Sequence, residues 1–199
     1  YALVGGKNCI TEITDQGVDN YKVILWFKLP DVMSVDKIKV NIARNHAINA
    51  VEDTEASLSC YVSDGLTQFW QYFVAGEHST ITQLEVDETA YKQAQVNDVI
   101  WCLQGENSGK ITQIKQIDNS GQSNALYTLK DNLTADITED TTFNRMRMQH
   151  CGTKTFQTNE ALENNEFVVD VHTNQVFVLI DVQNGASLNI LNISLYGNR

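Results

Sequence analysis

The chain has 199 residues, of which 42% are apolar and 20% are charged. This composition excludes a disordered tail, and the length suffices to bury a core without covalent cross-links. Acidic residues outnumber Lys and Arg by 25 to 14, which gives a net charge of -11. Such a field repels phosphate groups, so it argues against nucleic acid and anionic membranes as partners. No run of 18 apolar residues occurs, so we expect no membrane insertion by a helix.

Uncharged polar residues make up about a quarter of the chain, with 19 Asn, 17 Thr and 14 Gln, whereas Pro30 is the single proline. Amides and hydroxyls suit the solvent faces of strands, and Asn suits turns because it tolerates positive φ. Helical domains usually carry more Ala, Glu and Lys at their surfaces. The composition therefore favours an all-β protein.

Alternation of apolar and polar residues predicts strands from the beginning of the chain. The first four cover residues 21–29, 36–43, 57–63 and 67–74. On the strand at 21–29, Lys22, Ile24, Trp26 and Lys28 form an amphipathic face opposite the core. The inward faces of the four strands predict one buried seam, made of Val23, Leu25, Phe27, Ile38, Val40, Ile42, Leu58, Cys60, Val62, Phe69 and Phe73.

Eight further strands are predicted at residues 81–86, 98–104, 110–117, 125–129, 142–149, 166–173, 175–182 and 187–196. Residues 87–95, 134–140 and 158–164 are predicted to form helical turns, none longer than about three turns. Most links are too short for parallel crossovers. We therefore predict an all-β fold, an antiparallel β-sandwich or jelly roll with short accessory helical turns.

The chain shows no fixed-period repeat and no low-complexity linker, which favours a single domain over residues 1–199. The polar stretch 118–124 is the one candidate for a subdivision. Because it is only seven residues long, a hairpin loop within one domain is the preferred interpretation.

No catalytic or cofactor-binding motif is present: the chain has no Gly-x-Ser-x-Gly elbow, P-loop or Gly-x-Gly-x-x-Gly. The four histidines lack metal-ligand spacing. His150 and Cys151 are adjacent, but neighbours on a strand point to opposite faces, so a Cys–His dyad is not expected. We predict no enzymatic activity and no cofactor.

An acidic loop holds Asp136, Glu139 and Asp140 with the hydroxyls of Thr138 and Thr141 between them. β-Sandwiches often hold such loops with Ca²⁺, whereas most acidic loops are merely solvated. The second interpretation is preferred, so no metal site is predicted.

The four cysteines are far apart in sequence, at Cys9, Cys60, Cys102 and Cys151. No Cys-x-x-Cys pair suggests zinc or redox chemistry. Cys60 and Cys102 sit in apolar strand patterns, which favours free thiols. Three disulfide connectivities remain open.

A two-residue hairpin at Asp64-Gly65 would pair positions that sum to 129. Ser59 then faces Trp70 and Ser57 faces Tyr72, which predicts a polar face carrying Tyr61, Trp70 and Tyr72. Planar rings on a polar face suit a sugar-binding platform. Large aromatic residues equally anchor contacts with a neighbouring loop or subunit, and this second interpretation is preferred.

The segment from Tyr21 to Leu103 resembles the jelly-roll or sandwich domains of bacteriophage virion proteins. The resemblance lies in the strands at 22–29 and 37–42, the "Ser-Leu-Ser-Cys-Tyr-Val-Ser-Asp-Gly" hairpin and the "Asp-Val-Ile-Trp-Cys-Leu" strand. It implies a structural or receptor-binding role in a multimeric virion, with copies of the chain or other virion proteins as partners. The aromatic face, and not this resemblance, suggests a surface glycan as a further ligand. The alternative is a carbohydrate-binding module of a secreted bacterial protein or adhesin.

We expect no retention on heparin or on DNA at about physiological salt, because Arg145 and Arg147 are the only close pair of arginines and phosphate binding needs several such contacts. Salt-gradient chromatography measures this directly. Elution above physiological salt would contradict the expectation.

Overall fold

The computed structural model describes residues 2–4, 9–17, 20–47, 55–63, 70–87, 94–119, 124–138, 141–157, 166–182 and 186–197. More than half of the chain lies in strands, and every pairing between them is antiparallel. The strands are β1 (Ala2–Val4), β2 (Cys9–Gly17), β3 (Asn20–Ala47), β4 (Glu55–Ser63), β5 (Trp70–Val74), β6 (Gln83–Val86), β7 (Val99–Cys102), β8 (Ile111–Asp118), β9 (Ala125–Leu129), β10 (Thr142–Met146), β11 (Gln149–Gln157), β12 (Glu166–Val182) and β13 (Ala186–Tyr196). The described ranges contain no helix that is long and apolar enough to cross a membrane.

The chain forms two compact units. The first unit comprises residues 1–67 and 149–199, and the second unit comprises residues 68–148. The first holds a seven-stranded sheet in the order β1-β13-β3-β12-β4-β11, with β2 also paired to β3; the second holds a six-stranded sheet in the order β5-β10-β7-β8-β9-β6. Two antiparallel sheets confirm the predicted all-β sandwich class, while these strand orders do not confirm a jelly roll.

The polar stretch 118–124 lies inside the second unit. It connects β8 to β9, which pair antiparallel with Asp118 opposite Leu126. Residues 120–123 of this stretch are outside the described ranges. The division between the units falls instead after residues 67 and 148.

The strand β3 is continuous where the sequence predicts two strands separated at Pro30. Opposite it, β12 is likewise one strand rather than two. The pairing between them skips at this point: Lys28 faces Gln175 and Met33 faces Thr173, so residues 29–32 lie outside the regular register. Proline has no amide hydrogen to donate, and such an irregularity in the ladder is where a strand tolerates it.

Each unit has its own apolar core. The cluster in the first unit consists of Phe27, Leu29, Met33, Val35, Ile38, Val40, Leu58, Cys60, Val62, Phe167, Val176, Val178, Ile180, Ile193 and Leu195, with Val23 and Leu25 partly buried against it. Most of the predicted seam is thereby confirmed. Phe73 is the exception, because β5 pairs with β10 and places this ring in the core of the second unit. The side chain of Ile42 and the whole of Phe69 lie outside the described residues.

The other face of β3 is buried at its first residues, whereas Lys28 on the same face is exposed, and the sequence predicts the whole face to be amphipathic. Lys22 and Ile24 are as inaccessible as the core residues. The Lys22 ammonium lies 3.0 Å from the Asp181 carboxylate, which stands directly opposite it on β12. A paired lysine can be buried where an isolated one cannot, because the partner charge offsets much of its desolvation cost.

The helical turn predicted at residues 134–140 is wrong for the described part, residues 134–138, which form an irregular loop. The buried side chain of Asn107 determines its conformation. Its Oδ1 accepts hydrogen bonds from the amides of Thr134 and Ala135, and its Nδ2 donates to the Ala135 carbonyl. These bonds take up backbone groups that a helical turn would need. The turns predicted at 87–95 and 158–164 fall largely or wholly outside the described residues.

Phe27→Ala should lower the free energy of unfolding by about 3–5 kcal/mol, because the ring fills a buried site that cannot fully collapse. Lys39→Ala is the control. Lys39 is half-exposed and lies 3.6 Å from Glu166, so its loss should cost about 0.5 kcal/mol or less. Urea unfolding measures both, and equal effects would show that the assignment of the two faces is incorrect.

Candidate functional site

The three aromatic residues predicted to share one face lie on strands that do not pair with each other. Tyr61 is on β4 in the first unit, and Trp70 and Tyr72 are on β5 in the second. The predicted hairpin register is wrong, because β4 pairs with β11 along one edge and with β12 along the other, whereas β5 pairs with β10. The turn residues Asp64 and Gly65 lie outside the described ranges.

Tyr61 belongs to a row of rings that crosses the first sheet. On β12, Phe177 faces Tyr61 on one side and Trp26 on the other, and on β11 His150 faces Tyr61. The Trp26 and Phe177 rings stack with centroids 5.3 Å apart, and those of Tyr61 and His150 are 5.1 Å apart. Tyr61 is 1% exposed. Phe177 is likewise buried, whereas Trp26 and His150 at the two ends of the row are partly buried. The buried central rings therefore offer no open platform for a sugar ring.

The polar residues predicted beside Tyr61 are buried with it. Ser59 and Thr153 share a hydrogen bond of 2.7 Å between their hydroxyls, and His150 Nε2 lies 3.0 Å from the same Thr153 oxygen. Burial lowers the pKa of His150. These contacts stabilise the pairing of β4 with β11.

The edge of the second sheet carries a different aromatic group, which we call the edge patch: Trp70, Tyr72, Val74 and Trp101. The first three alternate along β5, and Trp101 on β7 lies in the same row as Tyr72, separated by Asn144 of β10. The Trp70 and Trp101 rings meet edge to face, with centroids 5.9 Å apart. Tyr72 is 59% exposed and Val74 is 45% exposed. Of the predicted site, Trp70 and Tyr72 thus lie on one accessible face.

Sequence reasoning missed Trp101 in this group. Alternation along β7 correctly separates Val99 and Trp101 from Ile100 and Cys102, but the order of the strands decides which ring Trp101 meets. No local signal indicates that β10, about 40 residues further along the chain, lies between β5 and β7.

Beneath the edge patch, on the opposite face, a buried arginine fixes β5 in place. Arg145 on β10 is fully buried; its Nη1 donates to Asp98 Oδ2 at 2.7 Å and its Nε donates to Gln71 Oε1 at 3.1 Å. The same Asp98 oxygen accepts the Gln95 amide at 3.0 Å. This network joins β5, β10 and the residue before β7, so the position of Tyr72 depends on it.

The second unit also contains a polar cleft of about 570 Å³. It lies between two loops that Asn107 holds together, and its lining is Gln104, Gly105, Glu106, Asn107, Thr134, Ala135, Asp136, Thr138 and Thr141. The Thr138 and Thr141 hydroxyls lie 3.1 Å apart. Amides, hydroxyls and carboxylates on a pre-formed wall suit a small polar ligand such as a sugar.

The described residues do not assemble a metal site: no group of three His, Cys, Asp or Glu side chains among them has suitable geometry. Of the acidic loop, Asp136 lines the cleft, whereas Glu139 and Asp140 lie outside the described ranges.

The side chains of His150 and Cys151 have different surroundings. Cys151 packs against the apolar cluster of the first unit, while the His150 ring lies against Tyr61. Burial raises the pKa of the Cys151 thiol to about 11. A thiol in this environment carries almost no thiolate at neutral pH, so it is a poor nucleophile.

Burial raises the pKa of Asp98 to about 6, against the opposing effects of the Gln95 amide and of Arg145. The folded chain thus binds the proton of Asp98 more tightly than the unfolded chain, in which this carboxyl group has its ordinary pKa of 3.8. The resulting stabilisation is complete below about pH 4 and is lost as the pH rises through 6. The stability of the wild type relative to Asp98→Asn should therefore fall between pH 4 and pH 7 in urea unfolding. A relative stability that rises over this range would show that Arg145 keeps the carboxylate ionised.

Two features of the second unit are accessible to a ligand or partner, namely the edge patch and the polar cleft. Tyr61 and Phe177, the central rings of the aromatic row in the first unit, are buried and therefore not accessible. No protein-family model matches this chain, and no curated protein matches it in sequence.

Proposed function

We propose that the chain is a non-enzymatic assembly component of a virion that associates with further copies of itself through the edge patch. The observation that carries this proposal is the exposure of Tyr72 and Val74 on β5, the terminal strand in the order of the second sheet. The virion setting follows from the resemblance of residues 21–103 to bacteriophage sandwich proteins. Other virion proteins are the alternative partners.

The sequence of β5 supports a protein partner. Natural edge strands are usually protected by charged side chains, by proline or by a bulge, because an apolar edge invites association. Residues 70–74 read Trp-Gln-Tyr-Phe-Val and contain no charged residue and no proline. Their pairing with β10 is regular throughout. This edge therefore lacks the usual sequence protection against association.

Charge also restricts where two copies can meet. At a net charge of -11 they repel each other over most of their surface. An uncharged patch with rings at its centre is where the repulsion is weakest and where an aromatic anchor contributes most to binding. The Arg145 network holds β5 rigidly on β10, so less conformational entropy is lost on association.

A carbohydrate-binding module is the second candidate, and two observations favour it. The Tyr72 ring is exposed beside Trp70 and Trp101, where a sugar could stack. The polar cleft of the same unit supplies carboxylates, an amide and hydroxyls that could bind sugar hydroxyls. A virion surface and a secreted protein are both compatible with this activity.

Tyr72→Ser should raise the dissociation constant for self-association about 30-fold, which corresponds to about 2 kcal/mol for a central aromatic anchor. Sedimentation velocity over a concentration series measures the constant, and circular dichroism confirms that the variant is folded. Val168→Ser is the matched control, because Val168 is an apolar strand residue that is 78% exposed in the first unit. It should leave self-association unchanged.

A wild-type chain that remains monomeric at high concentration would contradict self-association. Glycan-array binding by that monomer, lost in Tyr72→Ser or in Asp136→Asn but kept in Val168→Ser, would instead support the carbohydrate-binding module.

A further inference from the structure

We propose that Cys60 and Cys151 form an intramolecular disulfide when the protein meets an oxidising environment, and so link β4 covalently to β11. This inference does not depend on the assembly role. Both residues are free thiols in the structure. The juxtaposition that carries the proposal is a bulge in β11 that places Cys151 beside Cys60 on the neighbouring strand.

The register of the two strands defines this bulge. His150 faces Tyr61 and Gly152 faces Cys60, so Cys151 is the extra residue between two consecutive partners on β4. At a bulge, two residues of one strand oppose one residue of the other. Cys151 and Gly152 thus together stand opposite Cys60. A disulfide spans Cα atoms about 4.4–6.8 Å apart, a range that covers neighbouring residues on adjacent antiparallel strands.

Both side chains lie on the same side of the sheet. Cys60 belongs to the buried apolar cluster of the first unit, and Cys151 packs against that cluster. The two sulfurs are close enough for the charge on one to affect the other, since Cys151 contributes to raising the pKa of Cys60. The Cys151 thiol lies 3.6 Å from the Gln149 carbonyl oxygen and also has a hydrogen bond with the backbone amide of Val62. Hydrogen bonds to sulfur are weak, so the side chain can give up both at a small cost.

Gly152 makes this backbone arrangement possible. Its φ is +143°, in the region that residues with a side chain rarely adopt. Because glycine occupies the position after Cys151, the strand can bulge there and direct Cys151 towards the core.

The reaction is a thiol–disulfide exchange with a small disulfide such as oxidised glutathione. The Cys151 thiolate attacks one glutathione sulfur and releases the first glutathione thiolate, which takes up the proton that Cys151 lost. The Cys60 thiol then loses its proton and displaces the second glutathione. One glutathione disulfide is thus reduced to two thiols, while the two cysteines lose two hydrogens and form one S–S bond.

The environment of the two thiols indicates that formation is slow and that the product is stable. Burial raises the pKa of Cys60 well above its ordinary value and that of Cys151 to about 11. The rate should therefore increase with pH, roughly tenfold per unit between pH 7 and pH 9, as the thiolate fraction of Cys151 increases. Once formed, the bond would have one of its two sulfurs, that of Cys60, in the apolar core, which limits access by a reductant.

The link would close a loop of roughly 90 residues, which includes the whole second unit. A loop of this length removes much of the conformational entropy of the unfolded chain. The melting temperature of the first unit should consequently rise by on the order of 10 °C on oxidation.

The test uses the full chain incubated with oxidised glutathione at pH 8.5, then denatured and alkylated. We expect an intact mass lower by two hydrogens before alkylation, and a linked peptide that joins Cys60 to Cys151. Cys102→Ala is the control: this buried thiol belongs to the second unit, and its removal should leave the linked peptide in place. Cys60→Ala and Cys151→Ala should each abolish the linked peptide and the rise in melting temperature.

Three outcomes would overturn the proposal. The first is that all four cysteines are alkylated after the incubation, and the second is that Cys151 holds a stable mixed disulfide with glutathione. The third is a linked peptide that contains Cys9 or Cys102. If Cys60→Ala fails to fold because of the cavity that it leaves, Cys151→Ala provides the same test. The Cys151 side chain is only partly buried, so its removal leaves no enclosed cavity.

Discussion

The pairing of β3 with β12 is the constraint on which the first unit depends. β3 is its longest strand and is paired with β2, β12 and β13 in turn along its length. β3 pairs with β12 in three stretches, at residues 21–28, 33–35 and 37–39, which are separated by two shifts of register. The larger shift, at residues 29–32, accommodates Pro30. The apolar cluster then draws residues from both halves of β3, so a slip of one residue in either half would move part of the core to the opposite face of the sheet.

Among the described residues, each unit contains a buried ion pair, and the two pairs have different surroundings. Lys22 and Asp181 lie directly opposite each other on neighbouring strands, so the sheet itself aligns them. In the second unit, Arg145 reaches Asp98 outside the strand register and also binds Gln71 on β5. A buried pair of this kind contributes more to the choice of one arrangement of strands than to the total stability. The surface strand that we propose as a contact is therefore specified from inside the unit.

Local patterns in the sequence predict most of the strands and their buried faces, because alternation depends only on neighbouring residues. The predicted strand at 125–129 agrees with β9 at both ends. The burial of Lys22 could not be predicted, since its partner Asp181 is 159 residues away. The same limitation affects the candidate site. A turn signal at Asp64-Gly65 suggested that β4 pairs with β5, but the strands that flank β4 come from residues 149–182. Trp70 and Tyr72 share a face as predicted because they lie two residues apart on one strand. Tyr61 is not part of that face, because β4 belongs to the sheet of the first unit.

The position of the second unit in the chain has a consequence for how such a protein could be varied. Residues 68–148 leave the first unit after β4 and return at β11, and these two strands are neighbours, with Val62 paired to Gln149. At Val62 and Gln149 the two strands are thus about one strand spacing apart, roughly 4.8 Å. A linker of a few residues could span that gap as a hairpin and leave the register of the first sheet unchanged. The first unit is in this sense a host scaffold, and the segment that it carries could be removed, or exchanged for another with closely spaced ends, without redesigning the strands that bear it.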